Sequence, residues 1–317
     1  MGFQEKLLDL QRILFLYSTT PPRASSPEDR IESAITRLVE RTLKLHLDGL
    51  VVYDVQDERD RTQEERPFPF LPTLPSQEFA IRLRAAVAAP LITYKCISGM
   101  DEAQWKAWIA TSRAEGLDLV SVVGRASTQT KQDGISLSQA LQIGSHKFPD
   151  VTLGGVVIPE RHSESSSESA RLMRKAELGC RYFISQAVYD PETAIRLVRD
   201  YAKDCEIMGV QPRRVFLTFT PCGYGRTLTF MKWLGIKVPH DTSRRILASP
   251  TPIEESINIC VENFRRVFEV ARESSVPIGV NVESISIKKD EIEGAIDLHQ
   301  RLFDISLGEA ADPCAPA

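Results

Sequence analysis

Long apolar runs, paired cysteine motifs and a strong net charge are all missing from this sequence of 317 residues. The apolar run around residues 13–17 is far too short to span a bilayer. A formal charge of −4 gives no electrostatic reason to expect nucleic acid or an anionic membrane as a partner. The six cysteines contain no CxxC pair, which favours free thiols in a reducing compartment. Together these absences predict a soluble, cytoplasmic protein that binds neither nucleic acid nor membrane.

Short apolar runs rich in Val, Ile, Leu and Phe recur along the chain, and an amphipathic helical stretch follows nearly every one. The runs occupy residues 12–19, 49–55, 90–97, 117–124, 152–160, 181–188, 213–221 and 277–285. Continuous apolar character, rather than strict alternation, is typical of parallel strands that are covered on both faces. The helical stretches carry their own boundary signals, such as Ser26-Pro27 at one start and Gly116 and Gly179 at two ends.

Eight such units in one chain predict a single-domain (β/α)₈ TIM barrel over residues 1–308, with a disordered tail at 309–317. A doubly wound open sheet is the alternative, because periodicity does not reveal whether a sheet closes. In a barrel, the carboxyl ends of the strands form the mouth of the active site, so polar residues should gather there.

Several of the predicted strands end in polar residues. Gln186 and Glu283 interrupt apolar strands, and a buried amide or carboxylate needs partners that a bound ligand can supply. Glu160 is a further candidate, although it could simply form a salt bridge with Arg161. The charged and proline-rich segment 56–75 is either a lid over the mouth or a solvated loop. No spacing of histidines and acidic residues predicts a metal site.

Four motifs taken together resemble the methylenetetrahydrofolate reductase family. They are "TTPPR" at the end of the first strand, "ERDRT" after the second, "PERHSES" after the fifth, and "LMRKAELGCRYFISQAVYD" through the sixth. The resemblance extends over most of the chain and agrees with the count of eight strands. It implies a (β/α)₈ barrel whose typical members use FAD to pass a hydride from NAD(P)H to methylenetetrahydrofolate.

The resemblance also implies roles for individual residues. Those that fall where the family contacts the phosphates and ribityl chain of FAD are His162, Glu168, Arg171, Arg174 and Lys175, and Arg125 is a further predicted cofactor contact. A diphosphate is bound by cations and a helix N-terminus, and this stretch offers both. Taken alone, His162 could instead cap the next helix. Gln186 falls on the glutamine that binds folate or nicotinamide, and Tyr94, Phe219 and Asp54 are the other predicted substrate contacts.

The sequence departs from the family pattern at four places. Ser18 stands where the family has the glutamate that protonates a folate nitrogen, and no acid follows Arg125, where an aspartate tunes the flavin. The histidine of the third strand is missing, and Ile158 replaces a tyrosine of the fifth. Losses on the flavin side resemble a divergent, flavin-independent branch, although that branch also keeps an acid on the first strand. NAD(P)H is therefore the expected cofactor, and FAD is retained only as a doubtful one.

These observations predict an NAD(P)H-dependent oxidoreductase that acts on CH–NH groups and reduces a folate one-carbon adduct. Glu283 is the first choice for the proton donor, because burial would raise its pKa, and Glu160 is the second. Two alternatives stay open: a diverged barrel enzyme of another pathway, and a non-catalytic protein that binds folate or a nucleotide on the same scaffold. The outer helices could also support a homo-oligomer.

Overall fold

Eight parallel strands form the core of the molecule. The computed structural model describes residues 2–57, 62–124, 134–163 and 165–311. Its strands are β1 Leu14–Thr19, β2 Gly49–Val52, β3 Leu91–Cys96, β4 Leu119–Val123, β5 Thr152–Val157, β6 Tyr182–Ala187, β7 Arg214–Phe219 and β8 Ile278–Val282. Each strand pairs with the next, and β8 pairs with β1, so the sheet closes. The predicted (β/α)₈ barrel is therefore confirmed, and the open-sheet alternative is wrong.

Helices surround the barrel and connect its strands. They are α1 Phe3–Leu8, α2 Glu28–Thr42, α3 Ser76–Arg84, α4 Glu102–Ala114, α5 Leu137–Lys147, α6 Glu168–Glu177, α7 Pro191–Met208, α8 Gly225–Trp233, α9 His240–Ala248, α10 Pro252–Glu273 and α11 Lys289–Ala311. A short 3₁₀ helix, Pro159–Arg161, follows β5. The short helices α1 and α9 were not predicted from the sequence. The last helix passes the predicted boundary at residue 308, and residues 312–317 lie outside the described residues.

Aromatic side chains fill the lower part of the barrel, at the amino ends of the strands. Tyr182 and Phe216 point inward from β6 and β7, and Phe3 of α1 packs against both rings, at centroid distances of 6.1 and 6.4 Å. Room for the two rings comes from glycines on neighbouring strands. A Cβ atom at Gly154 would lie 2.3 Å from the Tyr182 ring, and one at Gly279 would lie 2.4 Å from the Phe216 ring. The rings of Phe3, Tyr182 and Phe216 form an aromatic floor at this end of the barrel. They fit together only because residues 154 and 279 lack a side chain.

A buried arginine fastens the N-terminal segment under this floor. Arg214, at the start of β7, is 1% exposed. Its guanidinium donates hydrogen bonds of 2.7 Å to the carbonyl oxygens of Arg12 and Ile278, and it also donates to the carbonyl of Asp9. Burial lowers the pKa of Arg214 to about 10, so the side chain stays a cation at neutral pH.

Two further features agree with the sequence analysis at a coarser level. Among the described residues, Cys96, Cys180, Cys205, Cys222 and Cys260 are buried thiols that form no disulfide bond. Among the described residues, none of the helices has both the length and the apolar character that a membrane span requires.

A histidine is buried between α11 and β1. His299 is 0% exposed and packs edge-on against Phe15, with 5.5 Å between ring centroids. Neither of its ring nitrogens has a partner among the described residues. Burial, with a smaller contribution from His46, lowers the pKa of His299 to about 4. The ring is therefore neutral in the folded protein, and a proton on it is unfavourable.

We expect replacement of Gly154 by alanine to destabilise the barrel by about 1–3 kcal/mol, because the added methyl group has no space beside Tyr182. Urea unfolding of wild type and variant measures the difference. Gly308→Ala is the matched control, since no atom lies within 4 Å of a Cβ atom there and alanine suits an exposed helix position. Equal stability of the Gly154 variant and wild type would show that the floor can relax around the ring.

His299→Leu should alter how stability depends on pH. Because the folded-state pKa of His299 lies below its ordinary value, the unfolded chain takes up this proton first, and the wild type loses stability as the pH falls. From about pH 7 to about pH 5, the difference in unfolding free energy should move by about 2 kcal/mol in favour of the variant. Urea unfolding at both pH values tests this. His240→Gln, an exposed histidine, should show no such movement, and a pH-independent difference for His299→Leu would contradict the prediction.

Candidate functional site

A layer of hydrogen-bonded polar side chains crosses the barrel directly above the apolar interior. The Ser18 hydroxyl donates to the Asn281 side-chain oxygen at 2.6 Å. The Asn281 amide donates to the Tyr53 hydroxyl at 3.3 Å and to the Thr218 hydroxyl at 3.1 Å. Ser18, Asn281 and Thr218 are almost completely buried. This layer joins the ends of β1, β2, β7 and β8, and it holds the phenol of Tyr53 in one position.

Glu283 lies immediately above this layer, one residue beyond β8. Its backbone N–H donates to the Phe219 carbonyl at 3.1 Å, which continues the pairing with β7. Burial raises the pKa of the Glu283 carboxyl to about 7, and a hydrogen bond from Tyr53 opposes the increase. Near neutral pH the group therefore exists in both protonation states, as a general acid or base requires.

Two tyrosines form a wall beside Glu283. The rings of Tyr53 and Tyr94 meet edge to face, with centroids 4.8 Å apart and planes at 82°. Burial raises the pKa of both phenols well above the ordinary range, and the nearby Glu283 adds to this effect. The wall is therefore uncharged, and it offers a planar ligand an apolar surface with a hydrogen-bonding edge. The predicted substrate contact Tyr94 belongs to this wall.

Glu160 and Gln186 lie on the other side of the mouth, at the ends of β5 and β6. The Gln186 amide nitrogen donates to the Leu234 carbonyl at 2.7 Å, and its amide oxygen is buried without a partner among the described residues. One carboxylate oxygen of Glu160 is likewise buried and unpaired. Burial raises the pKa of Glu160 to about 7, while the backbone N–H groups of Glu160 and Lys237 oppose this and the charge of Asp190 adds to it. The mouth thus has two partly buried carboxyl groups on opposite walls.

The loop between β2 and α3 packs on α8 next to the mouth. The guanidinium carbon of Arg66 lies 5.3 Å from the ring centroids of Phe70 and Phe230 and 5.1 Å from that of Trp233. The indole N–H of Trp233 donates to a backbone carbonyl of the loop at 3.0 Å. Cation–π contacts with three rings hold the loop in place. Residues 58–61 of the predicted lid segment lie outside the described residues.

The residues that the resemblance assigns to FAD bind other parts of the protein. The Nε2 atom of His162 lies 2.8 Å from a carboxylate oxygen of Asp200 on α7, and Nδ1 accepts from the backbone N–H of Glu168 at 3.3 Å. A ring nitrogen that accepts a hydrogen bond from an N–H carries no proton. The neutral imidazole therefore has its proton on Nε2, and this N–H donates a hydrogen bond to Asp200. His162 therefore fastens the segment after β5 to α7.

Glu168 and the start of α6 are also occupied. One carboxylate oxygen of Glu168 accepts from the Ile158 N–H at 3.2 Å, and the other lies 2.9 Å from Arg171. The Ser167 hydroxyl accepts from the Ala170 N–H at 3.0 Å and caps the helix. The helix terminus thus holds a buried carboxylate, which repels phosphate.

The remaining predicted FAD contacts do not converge on this point. The Lys175 ammonium donates to the Val156 carbonyl at 2.5 Å, between α6 and β5, and burial lowers its pKa. Arg174 is exposed on α6. Arg125 lies outside the described residues. Within the described part of the chain, the five assigned residues therefore do not fit the diphosphate of a flavin.

Two predicted substrate contacts occupy other positions. Phe219 points away from the barrel axis and packs on Phe264 of α10, with 6.0 Å between ring centroids. Because Thr218 faces inward, alternation along β7 turns Phe219 outward, and this alternation could have corrected the prediction. Asp54 accepts from the Cys96 N–H at 2.8 Å and lies 3.7 Å from the Lys95 ammonium. Its carboxylate therefore accepts a backbone hydrogen bond at the carboxyl end of β3.

Tyr53 and Asn281 were not predicted as site residues from the sequence. The signal was available for Asn281, which shares the inward face of its strand with Glu283 two positions later. For Tyr53 there was no such signal, because its contacts with Asn281 and Glu283 join β2 to β8 across β1. Among the residues that the structure describes, no group of three or more potential metal ligands occurs.

One solved structure is similar to this chain in both sequence and fold. An uncharacterized protein from Clostridium thermocellum, which binds two copies of 5-methyl-5,6,7,8-tetrahydrofolic acid, is 32% identical, with a TM-score of 0.83 over 96% of this chain and 99% of that chain. The chain belongs to the same family as this protein. No protein-family model and no curated protein matches the chain.

Other solved barrels are much more distant. Phosphonopyruvate hydrolase, alone and with oxalate and Mg²⁺, matches at 12% identity and TM-scores of 0.46 and 0.45, over 100% of this chain and 92% of each of those chains. These values carry no argument about function. The ligand of the Clostridium relative is a reduced folate, which is consistent with the resemblance noted in the sequence. The narrower assignment to the methylenetetrahydrofolate reductase family stays a prediction.

Tyr53→Phe should raise the pKa of Glu283 further. The tyrosine hydroxyl donates to the carboxylate and so favours its charged form, and phenylalanine removes that bond without removing the ring. Carbon NMR of protein labelled at its glutamate carboxyl carbons, with the signal assigned through Glu283→Gln, follows the titration. The control is Tyr224→Phe, because Tyr224 bonds to Asp290 instead. A Glu283 pKa that is unchanged or lower in the Tyr53 variant would contradict the proposed bond.

Proposed function

We propose that this protein binds a reduced folate in the mouth of its barrel. The observation that carries the proposal is the Clostridium relative, which is 32% identical over almost the whole chain and binds 5-methyl-5,6,7,8-tetrahydrofolic acid. The mouth is suited to such a ligand. The tyrosine wall can pack a planar ring, and the polar groups on both sides can bind the nitrogen and oxygen atoms at the ring edge.

We further propose that the protein reduces a folate one-carbon adduct with NAD(P)H. In such an adduct a methylene carbon bridges two nitrogens. Protonation of one nitrogen would break its bond to this carbon, and a bound nicotinamide would supply the hydride that converts the carbon to a methyl group. The reaction consumes one hydride and one proton, so the protein must hold a proton close to the bridge.

Glu283 is the proposed source of that proton. Its pKa of about 7 keeps a protonated fraction near neutral pH while leaving the acid strong enough to donate. Ser18, at the position of the family's glutamate, donates to Asn281 and so belongs to the layer that supports Glu283. The donor function thus moves from the first strand to the last, and both strands meet at the closure of the barrel.

No step of the proposed reaction passes through a flavin. His162, Glu168 and Lys175 are engaged within the protein, so the flavin-independent scheme, with direct transfer from nicotinamide to folate, agrees best with the described residues. A second candidate function is folate binding without reduction. The observation that favours it is Ser18, a residue that cannot replace the family's acid at that position.

Calorimetry with 5-methyltetrahydrofolate and with NADH, followed by an assay of NADH oxidation with methylenetetrahydrofolate, tests both parts. We expect folate to bind and oxidation to depend on it. Glu283→Gln should lower the rate constant by about 100-fold or more while folate still binds, because glutamine keeps the shape but cannot donate the acid proton. The rate of the wild type should also fall as the pH rises above about 7, since the required form of Glu283 is the protonated one.

Glu273→Gln, at an exposed position on α10, is the control and should leave the rate unchanged. Folate binding without oxidation in the wild type would select the binding protein over the reductase. Absence of folate binding would contradict the whole proposal. An unchanged rate in Glu283→Gln would remove this residue as the donor.

A further inference from the structure

Two buried side-chain oxygen atoms near the ends of β5 and β6 have no hydrogen-bond donor among the described residues. Gln186 lies in β6, and the bond from its amide nitrogen to the Leu234 carbonyl fixes the orientation of the amide. Its Oε1 atom is thereby left buried and unpaired among the described residues. A buried acceptor without a donor is unfavourable, so an explanation for this atom is needed.

Glu160 presents the second oxygen. It follows β5, and its Oε2 atom is buried without a partner in the described part of the chain. The ammonium of Lys237 lies 2.5 Å from a carboxylate oxygen of Asp190 and is therefore engaged there. Its charge and its backbone N–H both favour the ionised form of Glu160. Neither gives the Oε2 atom a hydrogen-bond donor among the described residues.

The two side chains occupy neighbouring positions in the fold. Val157 at the end of β5 pairs with Ser185 of β6, so Glu160 and Gln186 follow adjacent positions of the sheet. Both also contact the connection that follows α8, Gln186 at Leu234 and Glu160 at Lys237. The same short segment therefore contacts both side chains, which places Glu160 and Gln186 beside each other at the edge of the mouth.

We propose that Glu160, together with Gln186, binds the aminopyrimidinone edge of the folate pterin ring. This edge carries a ring N–H and an exocyclic amino group side by side. The two groups can donate two parallel hydrogen bonds to a carboxylate, as a guanidinium does. This inference rests on the proposed folate function. It also gives the orientation of the pterin ring in the mouth. Because β5 and β6 lie across the closed barrel from β1 and β2, the opposite, reduced part of the ring faces Tyr53 and Glu283. Glu160 then acts in binding, and Glu283 alone is left as the proton donor.

Glu160→Gln tests the assignment with probes that separate the parts of the ligand. Calorimetry is carried out with 5-methyltetrahydrofolate, with 6-methyltetrahydropterin, which has the ring edge and no tail, and with p-aminobenzoylglutamate, which has the tail and no ring. We expect the variant to bind the first two about tenfold or more weakly, since a charge-assisted bond to the edge is lost. Affinity for p-aminobenzoylglutamate and for NADH should not change.

A change in stability of the Glu160→Gln variant can be distinguished from a change in binding. Removal of an unpaired buried charge should leave the melting temperature unchanged or raise it, which a thermal unfolding curve of each sample verifies. Glu177→Gln, an exposed glutamate on α6, is the matched control and should bind every probe as the wild type does.

The outcomes separate this inference from the proposed function. Wild type that binds the folate and the pterin, with Glu160→Gln binding both equally well, would overturn the role of Glu160 and leave the folate function standing. Weaker binding of NADH alone would show that the pair serves the nicotinamide carboxamide, and the pterin assignment would be wrong. Wild type that binds neither folate nor pterin would refute the proposed function itself.

Discussion

Closure of the sheet between β1 and β8 is the constraint on which the candidate site depends. The backbone pairing of these strands brings Ser18 within 2.6 Å of Asn281, although the two residues are 263 positions apart in sequence. Asn281 in turn fixes Tyr53, which donates to Glu283. If the strands did not close, Glu283 would be solvated and its pKa would return to the ordinary range, because burial is the main cause of the shift.

The two sides of the mouth use buried polar groups in different ways. On the side of β8, every oxygen and nitrogen in the layer below Glu283 has a partner, so this side is rigid before any ligand arrives. On the side of β5 and β6, one side-chain oxygen of Glu160 and one of Gln186 have no donor among the residues that the structure describes. A ligand bound as proposed would gain the most on this second side, while the rigid side would determine where its reactive atoms lie.

The architecture was predictable because closed parallel barrels bury both faces of their strands, and the eight apolar runs follow directly from this requirement. The positions of Glu283 and Gln186 at the mouth were predictable for the same reason, since both are polar residues at the ends of apolar strands. Phe219 was placed wrongly because its aromatic character was given more weight than the alternation along β7. The assignments of His162 and Lys175 to FAD came from resemblance alone. Their hydrogen bonds to Asp200 and to the Val156 carbonyl join separate elements, and local sequence does not encode such contacts.

The attachment of the β2–α3 loop to α8 makes one side of the mouth depend on the whole barrel. Arg226 donates to the carbonyl of Pro67, and Trp233 to that of Glu64, across 159 and 169 positions of sequence. Loop closure over such distances is unfavourable, and the closed sheet reduces its cost by bringing the ends of β2 and β7 to the same mouth. This side of the mouth is therefore a property of the folded barrel and not of either segment alone, so a substitution that loosens the sheet also disturbs it.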